Sequence, residues 1–332
     1  MTMQIRLQFQ QNEVADEVAA VTAVVRPILE GLLYALKREA AVDAGGFEAI
    51  RLRQLPRIYR AGDRDCGICF EYAVHDALNR RDPDVLQRVH DAARMCNVPG
   101  HEPASILFGL EKTGALNLIE TARNRLTDES RLLAGNRGQP ALLKRHIDSI
   151  AAAFRRSEAR GALPDSISGI WKADLFVGYT DSDRWIGTTI KINRNQLEGA
   201  RGLRVGIVPA RGGANDNIVR DEGRNLIVCP LPHDHSFMQV FYQGWCVVQQ
   251  FIAADAQVPR EVSLPNPVDR QVARYLFERR DFPVVDVLQA LVPLSQPELL
   301  RTQEQHPSLV NRREELHEIE TGAIVAPLPR VV

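Results

Sequence analysis

Lysine is scarce in this chain of 332 residues: it stands only at positions 37, 112, 144, 172 and 191, and arginine supplies the rest of the 41 basic side chains. Against 42 acidic residues the formal net charge is −1. No overall positive field therefore draws in nucleic acid, and any phosphate contact must come from local clusters. Long apolar runs are missing too. No stretch approaches the roughly 20 residues that span a bilayer, and the opening MTMQIRLQFQQNE has no signal-peptide pattern. A cytoplasmic protein without a membrane partner is expected. The five cysteines are an odd number with no even-framework spacing, which argues against a disulfide scaffold and predicts reduced thiols. Repeats and low-complexity tracts are absent. What remains, 45% hydrophobic and 25% charged residues, is ordinary globular composition with length enough for a sizeable core.

Val14, Val18, Val21, Val25, Ile28 and Leu32 recur at helical spacing within residues 12 to 42, with Pro27 expected to kink or split the helix. The following segment, IRLRQLPRIYRAGDR, carries Arg51, Arg53, Arg57, Arg60 and Arg64. It reads either as a phosphate-contacting segment or as a solvated strand or loop, and the second reading is the commoner outcome for a charge run. Helices are predicted at Cys66 to Asn79, with Glu71 and His75 together on one flank, at Pro83 to Met95, around Ala104 to Leu126 and from Pro140 to Arg160. The texture changes after Pro164. Strands are predicted near residues 170–178, 185–193, 203–208 and 226–229, and helices at Ser236 to Ala254, Pro267 to Arg280 and Val284 to Leu291. A charged helical piece is expected near Asn311 to Glu320.

The stretch IWKADLFVGYTDSDRWIGTTIKIN, Ile170 to Asn193, reads as two strands joined by a polar turn. Alternate residues share a face, so Ile186, Thr188, Ile190 and Ile192 point one way. With the apolar faces on the core, Asp174 and Lys191 project from one side of neighbouring strands. Lys172 shares the face of Asp174. The alternative is a cross-strand ion pair on a solvated sheet, which contributes little.

A helix carrying Glu71 in FEYA, a strand carrying Asp174 in KADLF and a strand carrying Lys191 in TTIKIN, followed by more strands and a long helix, resemble the PD-(D/E)XK nuclease superfamily, the restriction-endonuclease-like fold. That core runs helix, three strands, helix, strand. Its signature is an aspartate followed, on the next strand, by an acidic-x-Lys triplet. The resemblance covers roughly residues 66 to 255 with a long helical insertion. It implies Mg2+- or Mn2+-dependent hydrolysis of DNA, with Glu71 and Asp174 as metal ligands and Lys191 as the catalytic lysine. Lys172, Thr189, Gln196 and Gln239 would be supporting or phosphate-contacting groups. Many nucleases of this type belong to phage-defence, repair or mobile-element systems, and the near-zero net charge points to DNA presented by a second subunit or partner. One departure is plain: the acidic position of the triplet is Thr189, and a hydroxyl is a poorer ligand for a hard cation than a carboxylate. The missing charge would come from Glu71, from Asp181, Asp183 or Glu198, or not at all, leaving a module that binds without cutting.

Two other constellations compete. Asp65-Cys66-Gly67 at a helix start, with His233 and His235 downstream, fits a cysteine peptidase using Cys66, although no oxyanion-donating glutamine precedes it. Cys66-x-x-Cys69 with Cys96 and His101 is a weak zinc pattern. The expected fold is α/β, a small mixed sheet flanked by helices. The expected division is a helical region at 1–64, a nuclease-like core at 65–260 with a helical insertion at 82–160, and a helical region with a polar tail at 261–332.

Overall fold

A computed structural model describes residues 14–59, 65–107, 124–133, 140–211, 217–233, 237–257 and 261–295. Arg60, Arg64, His235 and the helical piece expected near Asn311 to Glu320 lie outside them. Nine helices are used below: α1 Asp16–Tyr34, α2 Arg38–Asp43, α3 Leu55–Ile58, α4 Asp65–Asn79, α5 Pro83–Met95, α6 Leu143–Arg155, α7 Phe237–Ala253, α8 Pro267–Glu278 and α9 Val284–Leu291. The strands are β1 Pro103–Leu107, β2 Arg131–Leu133, β3 Ala141–Leu142, β4 Leu175–Tyr179, β5 Arg184–Ile190, β6 Leu203–Pro209, β7 Val219–Asp221 and β8 Leu226–Leu231.

The helix boundaries follow local chemistry. Asp82 accepts from the Asp84 and Val85 N–H groups with Pro83 opening α5, and Asn266 accepts from Val268 N–H with Pro267 opening α8. Pro27 does not split α1, which runs unbroken from Asp16 to Tyr34. Its Val18, Val21, Val25, Ile28 and Leu32 stripe is buried, and burial on that scale outweighs the roughly 3 kcal/mol a mid-helix proline costs.

The sheet is mixed, in the order β1-β4-β5-β6-β8-β7. β1, β4 and β5 form an antiparallel meander, β5, β6 and β8 are parallel, and β7 is antiparallel to β8. β2 pairs in parallel with the first half of β5 and β3 pairs with β2. β5 changes neighbour at Gly187, where the register shifts. A Cβ there would sit 2.2 Å from the Gly202 carbonyl oxygen, so only glycine lets β6 approach.

Both sheet faces are covered. Leu175, Val177, Ile186, Ile190, Val205 and Ile207 pack in one core with α1, α4, α5 and α7, while Phe176, Trp185, Val208 and Val228 pack in a second core with α6. The expected α/β architecture with one sheet between helices is present. The expected helix from Ala104 is instead β1, which supplies an outer strand of the meander; residues 108–123 lie outside the description. The insertion also contributes β2 and β3, so it is not wholly helical. The first strand of the hairpin begins at Leu175, because Ile170–Lys172 is a 3-10 turn that buries Ile170 in the second core.

Candidate active site

β4 and β5 are held in register from Leu175↔Thr188 to Tyr179↔Arg184. This brings the residue before β4, Asp174, beside the residue after β5, Lys191. Both backbones remain in the ladder: Asp174 N–H donates to the Thr188 carbonyl at 2.9 Å and Lys191 N–H to the Ile207 carbonyl at 3.0 Å. The meeting is therefore at the strand ends, where Lys191 can also reach α4.

Lys191 Nζ donates to Asp174 Oδ2 at 2.9 Å and to Glu71 Oε1 at 3.5 Å. Two carboxylates 103 positions apart in sequence (71 and 174) thus share one cation. The side chains are 11% exposed for Glu71, 15% for Asp174 and 29% for Lys191, buried enough for strong interaction yet open to solvent on one side. Burial alone would lower the Lys191 pKa. The Asp174 and Glu71 charges and hydrogen bonds more than offset it, and the ammonium is held above its ordinary value.

Asp174 Oδ2 is oriented by two further donors, Ile190 N–H at 2.6 Å and Thr189 Oγ1 at 3.1 Å. Oδ1 takes no donor among the described residues. Thr189, at the position where an acid was expected, is 3% exposed. It acts on the carboxylate, not on solvent.

The other predicted residues divide. Lys172 and Glu198 form an ion pair. Its partner lowers the Glu198 pKa, and Lys191 contributes in the same direction, which sets the pair within electrostatic reach of the centre. Gln196 is exposed in the turn Arg194–Gln196 and makes no hydrogen bond to the three central residues; Gln239 is exposed on α7. Asp181 and Asp183 are at the far end of the hairpin. Asp181 accepts from the His101 and Glu102 N–H groups, and Asp183 from Thr127 and Ser130 hydroxyls. Neither can supply the charge missing at Thr189.

Three arginines of the segment have partners among the described residues. Arg53 pairs with Asp281 at 3.1 Å and Arg57 with Asp255 at 2.9 Å, while Arg51 donates to the Asp281 carbonyl. His75, one turn beyond Glu71, lies between Ser105 Oγ at 2.9 Å and Asn79 at 3.1 Å. Burial pushes its pKa down to about 4, so it is neutral at pH 7 and bolts α4 to β1.

Cys69 is buried with its thiol toward the Ile28 carbonyl, and burial pushes Cys96 up to about 11. No group of three or more His, Cys, Asp or Glu gathers for a metal among the described residues, so the zinc pattern is not assembled there. Cys66 is half-buried at the start of α4, and the His233 ring lies stacked on Tyr242.

Comparison with known proteins leaves this geometry to stand alone. No family model matches the chain, and no curated protein or solved structure is significantly similar to it.

The Ile190 N–H and the Lys172–Glu198 pair were not legible as parts of this neighbourhood. A backbone donor leaves no mark in sequence, and Glu198 has no pattern linking it to Lys172.

Proposed function

We propose that the protein is a metal-dependent nuclease of the PD-(D/E)XK type, hydrolysing DNA phosphodiester bonds at the Glu71–Asp174–Lys191 centre. The observation that carries this reading is the convergence of two carboxylates on one lysine ammonium at the mouth of an antiparallel hairpin. The surrounding order adds support: a helix bearing Glu71, three antiparallel strands β1, β4 and β5, then β6 parallel to β5. The departure is the β5–β6 connection, which holds only a 3-10 turn where the superfamily has a helix.

The donor set fits Mg2+ or Mn2+. Such ions keep several waters and take one or two carboxylates, with substrate phosphate completing the shell. Asp174 Oδ1 is available among the described residues, and Glu71 and Asp174 already share a cation position. A divalent ion beside these two carboxylates would favour a phosphodiester. When bound, the ion supplies neutralisation of phosphate charge and acidification of a water.

The protein's own part follows from the contacts. Glu71 and Asp174 would hold the ion. Thr189 Oγ1 and Ile190 N–H orient the Asp174 carboxylate through Oδ2, and Oδ1 takes no donor among the described residues. Lys191, fully protonated at neutral pH, donates to the attacking water or to the phosphoryl oxygens as negative charge builds there.

A second reading is favoured by Thr189: with no third carboxylate the centre binds nucleic acid or a partner without cutting. Plasmid and oligonucleotide substrates incubated with Mg2+, Mn2+ or EDTA decide between them. Metal-dependent cutting supports hydrolysis, and binding with no cutting under either metal supports the binding module. Loss of an activity on alkylating Cys66 would instead point to a thiol peptidase.

A further inference from the structure

The three parallel strands end at one edge. Lys191 N–H donates to the Ile207 carbonyl, and Ile207 pairs with Cys229, so the ends of β5, β6 and β8 lie side by side. Ligands of α/β sheets gather at such carboxyl ends. Beyond β6, Ala210 N–H donates to the Leu231 carbonyl at 2.8 Å, which carries the exposed Arg211 alongside the Pro232–His233 segment. Beyond β8, the half-buried His233 ring lies on Tyr242 of α7, with centroids 5.8 Å apart and planes 2° from parallel.

The stack also adjoins the core that packs against α4. Tyr242 meets Phe241 at 5.5 Å, and Phe241 meets Phe70 at 5.2 Å; Phe70 precedes Glu71 on α4. Two strand spacings, roughly 10 Å, separate the end of β5 from the end of β8.

We propose that Arg211 and the His233–Tyr242 stack form a nucleotide subsite of the Glu71–Asp174–Lys191 centre, and that the strand it accepts is single-stranded. The inference rests on the nuclease reading and adds the substrate class to it. A stack two rings deep extends by one more aromatic plane, an unpaired nucleobase, with little reorganisation, and stacking is sequence-tolerant because every base has a π-face. Arg211 takes the accompanying phosphate. A duplex hides its bases and is held chiefly by neutralising many phosphates. Lys172 is already paired with Glu198.

The test uses the full chain carrying Asp174→Asn, with fluorescence anisotropy in Mg2+. The probes are a short labelled oligothymidylate, its duplex and an all-abasic strand of equal length. Single strand is expected to bind about 10-fold more tightly than duplex. Adding His233→Ala should weaken single-strand binding about 10-fold and leave the abasic strand unchanged. His233→Phe should restore it, and Arg211→Ala should weaken both the single and the abasic strand. Equal binding by His233→Ala with a native circular dichroism spectrum, or tighter binding of duplex, overturns the subsite. Cleavage by the wild-type chain is measured alongside. Cutting with no effect of His233→Ala rejects the subsite but keeps the nuclease, whereas no cutting with a His233-dependent loss of binding rejects hydrolysis and keeps the subsite.

Discussion

Thr189 Oγ1 donates to Asp174 Oδ2 at 3.1 Å, on the same oxygen that accepts Ile190 N–H at 2.6 Å and Lys191 Nζ at 2.9 Å. Thr189, at the position where the resemblance expects an acid, thus helps fix the orientation of the aspartate. Removing an outer donor to a metal-binding carboxylate costs about 10–100-fold. Thr189→Val, equal in shape, is expected to lower kcat about tenfold with KM little changed, and Thr189→Ser to retain most of it. Steady-state kinetics on both variants check this.

Lys191 holds two carboxylates together, so its removal takes from Glu71 and Asp174 the ammonium they share. Lys191→Met should lose about 2 kcal/mol at pH 8, less than the 3–5 kcal/mol of a fully buried pair. Because the folded pKa is raised above 10.5, the Lys191 contribution is fully present below 10.5 and fades as pH rises through the folded value. The stability gap between wild type and Lys191→Met is therefore constant from pH 7 to about 10 and narrows above it. Mg2+ should raise the Tm of Lys191→Met more than that of the wild type, since the variant lacks the ammonium that Glu71 and Asp174 share. Thermal melts with and without Mg2+ test both statements.

His75 titrates in the opposite sense. Burial holds its folded pKa at about 4 against an ordinary 6.5, so the unfolded chain takes up the proton first. Its contribution is complete above pH 6.5 and is lost as pH falls from 6.5 to about 4, by roughly 3 kcal/mol. Urea unfolding of His75→Gln should show a flatter acid limb than the wild type over that window, whatever its stability at pH 7.

Tyr72 Oη is buried with no hydrogen-bond partner among the described residues. An unsatisfied buried hydroxyl costs about 1–3 kcal/mol, and Phe fills nearly the same space against Tyr34, 5.7 Å away. Tyr72→Phe is expected to raise the urea midpoint; a fall would show that the hydroxyl has a partner.

What the sequence disclosed follows from how local each signal is. α5 and α9 were readable to the residue because Asp82-Pro83 and the apolar spacing after Pro283 act within a turn. The Asp174–Lys191 pairing was readable because a hairpin with a short turn fixes its own register. Other features depend on distant partners. β1 has only five residues and becomes a strand by pairing with β4, some seventy positions later, so helical spacing around it misled. The partners of Arg53 and Arg57, Asp281 and Asp255, stand some 200 positions away and could not be read from the segment itself. That Glu71 would face Lys191 rather than solvent depended on the packing of α4 across β5, which no spacing within α4 encodes.

The most direct measurement is the rate of Mg2+-dependent DNA hydrolysis by wild type and by Glu71→Gln, Asp174→Asn, Lys191→Met and Cys66→Ala, each confirmed folded. The expected result is cutting by wild type and Cys66→Ala that EDTA abolishes, with a fall of at least about 100-fold in each of the three central variants. Cutting that persists in Asp174→Asn and Lys191→Met, or DNA binding with no hydrolysis by the wild type in either metal, would contradict a catalytic role for this centre.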